Sequence, residues 1–343
     1  MTASDHGAAN ASPWRADVTV RAAVLTEPGA LSVVSVPEPS CGPGDVLIRM
    51  RGTGLCGSDL AVFRGERRPP RLPWILGHEG TGHVVEAGGE VSGLHSGQDV
   101  VIEPDYCCLT CDACLAGRTS ACGGRAAVGL TVPGLLSDYV VAPAAFVWPV
   151  APRLAPEDLV CAEPATVARA AMRRSGIAPG RSCLVIGAGS QGLLLCQALI
   201  AHGVTVFVQE PNEARLGRAR SLGATALPPD GRELPYLFET SGARGALEQG
   251  LRRLARHGTA VLIGMDTSPL DISPRDLVAG QITLVGSLIY DHPADFAQTV
   301  RALEARTPAR LGAVVSDGYA LEDVQKAFTA ASTAAGKVWI DLS

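Results

Sequence analysis

A glycine-rich turn in the second half of the chain restricts the possible folds more than any other feature. Gly187, Gly189 and Gly192 form the pattern Gly-x-Gly-x-x-Gly between a predicted strand, residues 182–186, and a predicted helix that starts near Gln191. Glycines at these positions permit a tight turn, and the free N–H groups at the start of the helix favour a pyrophosphate. The pattern therefore predicts a parallel, doubly wound α/β sheet of the Rossmann type that binds a dinucleotide, with Gln191 among the cofactor-binding residues.

An acidic residue follows the turn at the distance expected in dinucleotide-binding domains. Glu210 lies 18 residues beyond Gly192, at the end of the next predicted strand, where its carboxylate can accept both hydroxyls of an adenosine ribose. Because a negative charge repels a 2′-phosphate, Glu210 favours NAD over NADP. Arg215, one turn further on, is a second candidate for cofactor binding, and a solvated helix arginine is the alternative interpretation.

The pattern of helices and strands divides the chain. A length of 343 residues corresponds to about two domains. Residues 20–151 contain short alternating segments separated by Gly and Pro, which predicts a mostly-β domain. In residues 152–290 apolar strands alternate with Ala-, Leu- and Arg-rich helices, which predicts the parallel sheet with crossover helices. We expect residues 1–19 to form a flexible tail and residues 291–343 to complete the first domain.

Cysteines cluster in the mostly-β part of the chain. Five of the ten cysteines fall within residues 107–122, and four of them have the spacing C-x2-C-x2-C-x7-C, namely Cys108, Cys111, Cys114 and Cys122. Four thiolates at this spacing suit one tetrahedral zinc ion at about 2.3 Å. Because the protein fills all four coordination positions, this zinc is expected to be structural. Cys107 lies outside the pattern and is expected to be an unliganded, partly buried thiol.

Charge and hydropathy exclude several classes of partner. The net charge is −5, with 29 basic and 34 acidic residues, whereas a protein that binds the nucleic-acid backbone normally carries a basic excess. The most apolar stretch, residues 193–201, already contains Gln197, and a membrane-spanning helix needs about 20 apolar residues. Residues 1–19 lack the apolar segment of a secretory signal. We therefore expect a cytoplasmic protein that binds a small molecule, and neither a nucleic acid nor a membrane.

Two shorter motifs complete a recognisable set. Residues 54–59 read Gly-Leu-Cys-Gly-Ser-Asp, and residues 77–80 read Gly-His-Glu-Gly. Together with the cysteine cluster and the glycine turn, in this order, they resemble the zinc-dependent medium-chain alcohol and polyol dehydrogenases over about residues 20–343. The resemblance implies a GroES-like catalytic domain beside the Rossmann domain and about two zinc ions per chain. It also implies a homo-oligomer, a dimer or tetramer joined through the edge of the nucleotide-binding sheet.

The resemblance further implies a catalytic zinc site. Cys56 and His78 match zinc ligands of the family, and Glu79 matches a glutamate that ligates the ion in some members. Glu163 matches the position that holds cysteine in typical alcohol dehydrogenases and glutamate in the sorbitol and threonine dehydrogenase branch. Whether Glu79 or Glu163 completes the set stays open at this point. One water beside such a set leaves the open coordination position that catalysis needs.

Residues around these ligands are expected to support hydride transfer from an alcohol to the nicotinamide. Asp59 fits an acceptor that fixes the ring of His78. Ser58 matches a hydroxyl that contacts the substrate oxygen and passes its proton outward. Many relatives end this relay at a histidine where this chain has Ala61, so either bulk water or another group finishes the transfer.

Further resemblances concern the cofactor and the C-terminus. Ser241, Gly286 and Ser287 resemble strand-end residues that line the cofactor in the family. Lys337 lies in a closing Gly-Lys-Val segment and is expected to be structural. Residues 225–238, three of them proline, replace the longer strand, helix and strand that are usual in the family. Because a full crossover needs about a dozen residues besides the strands, the third crossover helix is expected to be absent or a single turn.

These observations predict a zinc- and NAD-dependent dehydrogenase. It would act on a secondary alcohol of a polyol, sugar or aminocyclitol-like molecule, or reduce the matching ketone; the polyol class is what the resemblance to the polyol branch at Glu163 implies. The 27 arginines and two lysines suggest a GC-rich genome and a role in specialised-metabolite biosynthesis. Two alternatives stay open: a non-catalytic dinucleotide-binding or redox-sensing protein on the same scaffold, and a zinc-independent NAD(P)H-dependent reductase.

Overall fold

Two larger β-sheets, one mixed and one entirely parallel, organise the chain. The structure is a computed structural model, and it describes residues 14–152, 154–229, 231, 233–267, 269–308 and 310–343. Strands of the mixed sheet come from both parts of the chain that flank the parallel sheet. Buried apolar clusters pack against both sheets. The α/β fold class expected from the sequence is confirmed.

The first part of the chain is mainly β-structure, with short helices between the strands. Its elements are β1 (Trp14–Glu27), β2 (Ala30–Pro39), β3 (Asp45–Gly54), α1 (Gly57–Phe63), β4 (Trp74–Ile75), β5 (Glu79–Ala87), β6 (Asp99–Ile102), β7 (Asp105–Tyr106), α2 (Asp112–Leu115), β8 (Ala126–Ala127), β9 (Tyr139–Pro143) and β10 (Val147–Pro149). β1 pairs with β2 and β4, and β7 pairs with β8 in a separate two-stranded ribbon.

The middle of the chain alternates helices and parallel strands. Its elements are α3 (Pro156–Leu159), α4 (Ala162–Ser175), β11 (Ser182–Ile186), α5 (Ser190–Ala201), β12 (Thr205–Gln209), α6 (Glu213–Ser221), β13 (Thr225–Ala226), β14 (Leu234–Glu239), α7 (Ala246–Leu251), β15 (Leu254–Leu262), α8 (Pro274–Gly280) and β16 (Thr283–Gly286). The spatial order is β13-β12-β11-β14-β15-β16. The order reverses between β11 and β14, and sheets of this type bind ligands at such a switch point.

Helix α5 follows the glycine turn and is buried along most of its length. Leu193, Leu194, Leu195 and Leu199 are each at most 1% exposed. The helix contacts α4 on one side and β11 and β12 on the other, so apolar residues are required all round it. The same packing points the N-terminus of α5 at the carboxyl edge of the parallel sheet.

The end of the chain returns to the mixed sheet. Its elements are α9 (Ala294–Glu304), β17 (Val315–Ala320), α10 (Val324–Ala331) and β18 (Lys337–Asp341). The mixed sheet has the order β10-β6-β5-β3-β18-β17, and β9 also pairs with β3. Gly54 in β3 is opposite Trp339 in β18 and opposite Glu79 in β5. The last strand of the chain is thereby brought next to the start of β5.

The start of β1 differs from the sequence prediction, whereas the connection between β13 and β14 agrees with it. The flexible tail predicted for residues 1–19 is too long, because β1 begins at Trp14 and pairs with β2 up to Pro39; residues 1–13 lie outside the described residues. The described residues between β13 and β14 contain no helix. This agrees with the expectation drawn from the shortness of the segment of residues 225–238. A helix long and apolar enough to cross a membrane is also not found among the described residues.

The close approach of β3 and β18 gives a test of the packing. A Cβ at Gly52 would lie 2.6 Å from Cζ3 of Trp339, so Gly52→Ala should lower the free energy of unfolding by about 1–3 kcal/mol. Gly217→Ala is the matched control, because a Cβ there would meet nothing within 4 Å and the residue lies inside α6. It should leave stability unchanged or raise it by up to about 1 kcal/mol. Urea unfolding followed by fluorescence measures both variants, and equal effects would contradict the packing described.

Candidate active site

Three metal-binding side chains meet where β3 ends and β5 begins. Cys56 lies between β3 and α1, while His78 and Glu79 stand at the start of β5. Because Gly54 and Glu79 are opposite each other in the antiparallel pair, the two segments lie side by side. One ligand atom of each of the three side chains lies within 4.8 Å of the others. Donors on one tetrahedral zinc ion are about 3.5 Å apart, so the three side chains fit such an ion.

Asp59 orients the ring of His78. Its Oδ1 lies 3.2 Å from Nδ1 of His78, and its carboxylate accepts the backbone N–H groups of Gly77 and Cys56, each at 3.0 Å. Burial raises the pKa of Asp59, but His78 and the two N–H groups outweigh burial and lower it. An ionised Asp59 keeps the proton on Nδ1 and leaves Nε2 for a metal ion. Nε2 lies 3.5 Å from Oγ of Ser58, as expected for a hydroxyl next to the metal.

A buried ion pair joins the last strand to this cluster. Nζ of Lys337 pairs with Oε2 of Glu79, and the side chains are 0% and 1% exposed. The same Nζ lies 3.3 Å from the carbonyl oxygen of Leu55 and 3.5 Å from Oγ of Ser190, the first residue of α5. Burial lowers the pKa of Lys337, but Glu79, Cys161 and Cys56 together outweigh burial and raise it, so the amine stays protonated.

Glu163 lies beside the cluster. It is the second residue of α4 and is buried. Among the described residues, the group of atoms within 4.8 Å contains Glu79 and not Glu163. Burial raises the pKa of Glu163 well above its usual value; His78 opposes this, and the negative charges of Glu79 and Cys56 add to it. The sequence left open which of two carboxylates completes the ligand set. In the structure Glu79 belongs to the three-donor group and Glu163 lies next to it.

The four-cysteine lobe, residues 107–122, brings its predicted ligands together. The four sulfur atoms all lie within 4.8 Å of one another; they belong to Cys108, Cys111, Cys114 and Cys122. Backbone N–H groups of Thr110 and Cys111 lower the pKa of Cys108 to about 6, which favours the thiolate that binds zinc. Cys107 is buried outside this group. None of the ten cysteines, all within the described residues, forms a disulfide.

The glycine turn leaves open space at one of its three glycines. A Cβ at Gly192 would lie 2.1 Å from the carbonyl oxygen of Gly187, and a Cβ at Gly187 would lie 2.9 Å from Cβ of Ser241. Gly187 also has a φ of +91°, which other residues rarely adopt. A Cβ at Gly189 would meet nothing within 4 Å, and no side chain caps α5 there. This space beside the first N–H groups of α5 suits a pyrophosphate.

Four further cofactor candidates lie at the edge of the parallel sheet that carries the turn. Gln191 donates from Nε2 to the carbonyl oxygen of Pro164 at 3.2 Å. Ser241 follows the end of β14, Gly286 ends β16, and Ser287 comes next. The carboxyl ends of parallel strands meet at one edge, so all four residues stand where Rossmann domains bind their ligands.

Glu210 and Arg215 have different surroundings. The carboxylate of Glu210 accepts the backbone N–H of Ala188, inside the glycine turn, at 2.7 Å. Arg215 instead donates to the carbonyl oxygens of Ser332 and Ala334 at 3.2 Å and 2.9 Å. These contacts direct the guanidinium of Arg215 away from Glu210, so the expectation that Arg215 binds the cofactor stays a prediction without support from this geometry. Its guanidinium is held by the segment that follows α10, because the first turn of α6 faces that segment.

The metal cluster and the glycine turn are neighbours. Oγ of Ser190 lies 3.5 Å from the amine of Lys337, which itself pairs with Glu79. Gln191 reaches Pro164, the residue after Glu163. A dinucleotide at the start of α5 would consequently lie next to a metal ion held by the cluster.

Several polar groups near the site were not identified from the sequence. Asp105 forms an ion pair with Arg125, and the hydroxyl of the buried Tyr290 has no hydrogen-bond partner among the described residues. Burial raises the pKa of Tyr290, and the charges of Glu163 and Asp105 raise it further. These residues come from β7, the segment before β8 and the connection after β16, so no motif links them. Only Lys337 had a local signal, since it is one of two lysines in the chain and lies in an apolar strand.

Known proteins share the motifs and the fold. The family of alcohol dehydrogenase GroES-like domains matches residues 42–152, and the family of zinc-binding dehydrogenases matches residues 192–305. An L-threonine 3-dehydrogenase from Pyrococcus furiosus is 32% identical over 307 residues, which cover 83% of this chain and 86% of that protein. An L-galactonate-5-dehydrogenase from Escherichia coli is 28% identical over 299 residues, 83% of this chain and 87% of that protein. The crystal structure of a zinc-binding dehydrogenase from Sinorhizobium meliloti 1021 bound to NADP has a TM-score of 0.84 and 26% identity, and the match covers 94% of this chain and 99% of that one.

The buried ion pair leads to a prediction about stability. Lys337→Met leaves Glu79 without its charged partner, which should lower the free energy of unfolding by about 3–5 kcal/mol. The double variant Lys337→Met, Glu79→Gln should recover much of this loss, because no buried charge is left unpaired. Lys326→Met removes an exposed pair with Asp323 and is the control, with an expected cost below about 1 kcal/mol. Urea unfolding of chelator-treated protein compares the three, and equal effects of the two lysine substitutions would show that the pair has no such role.

The hydrogen bond to His78 leads to a prediction about metal affinity. Asp59→Asn should weaken zinc binding at the three-donor group by about 10- to 100-fold, because the ring loses its charged acceptor. Competition with a chromophoric chelator measures the affinity of each zinc site in turn. Asp99→Asn changes a carboxylate of β6 that pairs with Arg51 and should leave both affinities unaltered. A zinc affinity of the Asp59 variant equal to that of the wild type would contradict the assignment.

Proposed function

Because the chain belongs to the zinc-dependent medium-chain alcohol and polyol dehydrogenase family, we propose that it interconverts a secondary alcohol and its ketone. Members of the family are NAD(P)-dependent oxidoreductases. The proposed substrate is a polyol, a sugar or an aminocyclitol-like molecule, and the arginine-rich composition adds specialised-metabolite biosynthesis as its setting. The similarity to an L-galactonate-5-dehydrogenase supports a hydroxyl-rich substrate.

One observation carries this proposal. The group formed by Cys56, His78 and Glu79 lies beside the N-terminus of α5, which starts at the glycine turn. The contact between Lys337 and Ser190 connects the two directly. A metal ion at the substrate oxygen and a dinucleotide at the carbon that bears it could therefore act on the same substrate.

The donor sets indicate which residues hold each group. Cys56, His78 and Glu79 would hold a catalytic zinc with Glu163 alongside, and a structural zinc would be held by Cys108, Cys111, Cys114 and Cys122. A bound zinc supplies the Lewis acidity that lowers the pKa of an alcohol, and a bound NAD supplies the hydride acceptor. The glycine turn would hold the pyrophosphate, with Gln191, Ser241, Gly286 and Ser287 along the rest of the cofactor.

The chain's own residues orient these groups and move the proton. Asp59 keeps His78 in the tautomer whose Nε2 is available. Lys337 neutralises one oxygen of Glu79, which limits the negative charge near the reacting atoms. Ser58 lies on the Nε2 side of the ring and is placed to take the proton of the substrate hydroxyl. Ala61 offers no acceptor, so bulk water or another group takes the proton onward from Ser58.

A polar wall near the metal group supports a hydroxyl-rich substrate. The buried hydroxyl of Tyr290 has no hydrogen-bond partner among the described residues, and the charges of Glu163 and Asp105 act on it. A site built for an apolar alcohol would leave this hydroxyl without a partner, at a cost in free energy. Hydroxyl groups of a polyol, or the amine of an aminocyclitol, would supply such partners.

Glu210 supports NAD as the preferred cofactor. Its carboxylate stands at the glycine turn through the N–H of Ala188, which is where the adenosine ribose is expected. A 2′-phosphate there would meet the negative charge of Glu210, and Arg215, held elsewhere, would not offset it. Because the Sinorhizobium relative is bound to NADP, the two cofactors are compared directly in the experiment below.

The assembly of the chain is also proposed. β17 and β18 in the mixed sheet support a catalytic domain of residues 20–151 and 291–343 beside a nucleotide-binding domain of residues 152–290. β16 is an edge strand of the parallel sheet, and Leu288 next to it is exposed, which supports a homo-oligomer joined through this edge. Ten cysteines without a disulfide support a cytoplasmic location.

A substrate screen tests the proposal. Polyols, cyclitols and amino sugars are incubated with NAD or NADP, and the absorbance of the reduced nicotinamide is followed. At least one polyol should be oxidised with NAD, and Cys56→Ala should lower kcat/KM by about 1,000-fold or more because several kcal/mol of stabilisation are lost. Cys41→Ala, which lies outside both metal groups, should have no effect.

The remaining outcomes separate the alternatives. Zinc-loaded protein that binds NAD and oxidises nothing would favour the non-catalytic scaffold. Full reductase activity in Cys56→Ala would favour the zinc-independent reductase. Glu210→Ser should shift the ratio of kcat/KM values toward NADP, and an unchanged ratio would contradict the assigned cofactor preference.

A further inference from the structure

Residues 287–292 connect β16 to α9 and contact three parts of the molecule. Ser287 is buried at the carboxyl end of β16, on the edge where a cofactor is expected. Tyr290 is 1% exposed and faces the charges of Glu163 and Asp105 near the metal group. Asp291 and His292 lie against the four-cysteine lobe. One short segment thus touches the cofactor edge, the metal group and the lobe.

The backbone of this segment is strained. Ile289 has a φ of +41°, in the left-handed region that a β-branched residue rarely adopts. Such a conformation persists only where surrounding contacts hold it, and it occurs preferentially at functional sites. The contacts that hold Ile289 therefore indicate what the segment does.

Arg174, in the last turn of α4, provides these contacts. Its Nη1 lies 2.6 Å from the carbonyl oxygen of Ile289, 3.1 Å from that of Leu288 and 2.9 Å from Oγ of Ser287. Its Nη2 lies 3.5 Å from Oγ of Ser120, within the lobe. The side chain is 17% exposed, so its bonds to carbonyl oxygens are largely shielded from water. One guanidinium consequently joins the lobe to the strained segment.

Two further bonds fasten the lobe to the same segment. The backbone N–H of Ser120 donates to Oδ1 of Asp291 at 3.0 Å, and the backbone N–H of His292 donates to Oγ1 of Thr119 at 2.6 Å. Thr119 and Ser120 lie between the predicted zinc ligands Cys114 and Cys122. The lobe is therefore bonded to the segment at two places, directly at Asp291 and His292 and through Arg174 at the Ser287 end.

We propose that Arg174 is a positioning residue that couples the four-cysteine lobe to cofactor affinity. The lobe holds Asp291 and His292, Arg174 holds the turn formed by Ser287, Leu288 and Ile289, and this turn then has the shape that the bound cofactor requires. The lobe, whose ligands leave no position for a substrate, acts on the reaction by this route. The inference rests on the proposed cofactor site.

Direct binding of NADH tests the proposal in the zinc-loaded protein. Arg174→Ala should raise the dissociation constant for NADH, measured by nicotinamide fluorescence, about tenfold. The variant removes a charged group whose hydrogen bonds to three acceptors hold the turn in shape. The zinc content should stay equal to that of the wild type. Arg169→Ala is the matched control, since Arg169 lies on the same helix and its Nε has no hydrogen-bond partner among the described residues. Its dissociation constant should change less than about twofold.

A second variant keeps the test independent of damage at Arg174. Thr119→Val preserves the shape of the side chain and removes the acceptor for His292. It should raise the dissociation constant several-fold, and in the double variant with Arg174→Ala the combined change should be smaller than the product of the two single changes.

The outcomes distinguish failure of the proposed function from failure of the coupling by Arg174. A wild-type protein that binds neither NADH nor NADPH would overturn the proposed function. Wild-type binding with unchanged affinity in Arg174→Ala or Thr119→Val, or with effects that multiply, would overturn the coupling and leave the proposed function in place. Equal weakening by Arg169→Ala would assign the effect to the helix and would also overturn the role of Arg174.

Discussion

The buried ion pair between Lys337 and Glu79 is the interaction on which the arrangement of the site depends. It joins β18, the last strand, to the first residue of β5, and its amine also approaches Ser190 at the start of α5. A buried charge is tolerated only when it is paired, so the two strands and the helix are held at one place. The pair therefore brings the three-donor group and helix α5 together, although the group lies at the mixed sheet and α5 packs on the parallel sheet.

The charges around the metal group follow from this arrangement. Lys337 compensates the charge of Glu79, while burial and the neighbouring negative charges raise the pKa of Glu163 well above its usual value. Among the described residues the donor group has three members, so a divalent ion held there would keep a position for an exchangeable ligand. The cysteine lobe differs in this respect, because its four thiolates would fill the coordination shell of a zinc ion and leave no position for a substrate.

Features contained in one short segment could be predicted from the sequence, and contacts between distant segments could not. The glycine turn and the cysteine spacing each lie within about 20 residues and indicated both the sheet type and a metal lobe. Lys337 and Glu79 are 258 positions apart, and nothing in either neighbourhood reveals the other. The direction of Arg215 depends on the segment after α10, more than 100 residues later, so its contacts could not be predicted from its own helix. The start of β1 at Trp14 likewise depends on the length of β2.

The proposed reaction requires a zinc ion, held by Cys56, His78 and a carboxylate, beside the dinucleotide groove. Anomalous diffraction from crystals of the NAD complex, measured on both sides of the zinc absorption edge, locates such an ion. We expect two peaks per chain, one inside the cysteine lobe and one between Cys56 and His78 next to the nicotinamide. A single peak in the lobe, or a second peak remote from the nicotinamide, would contradict it.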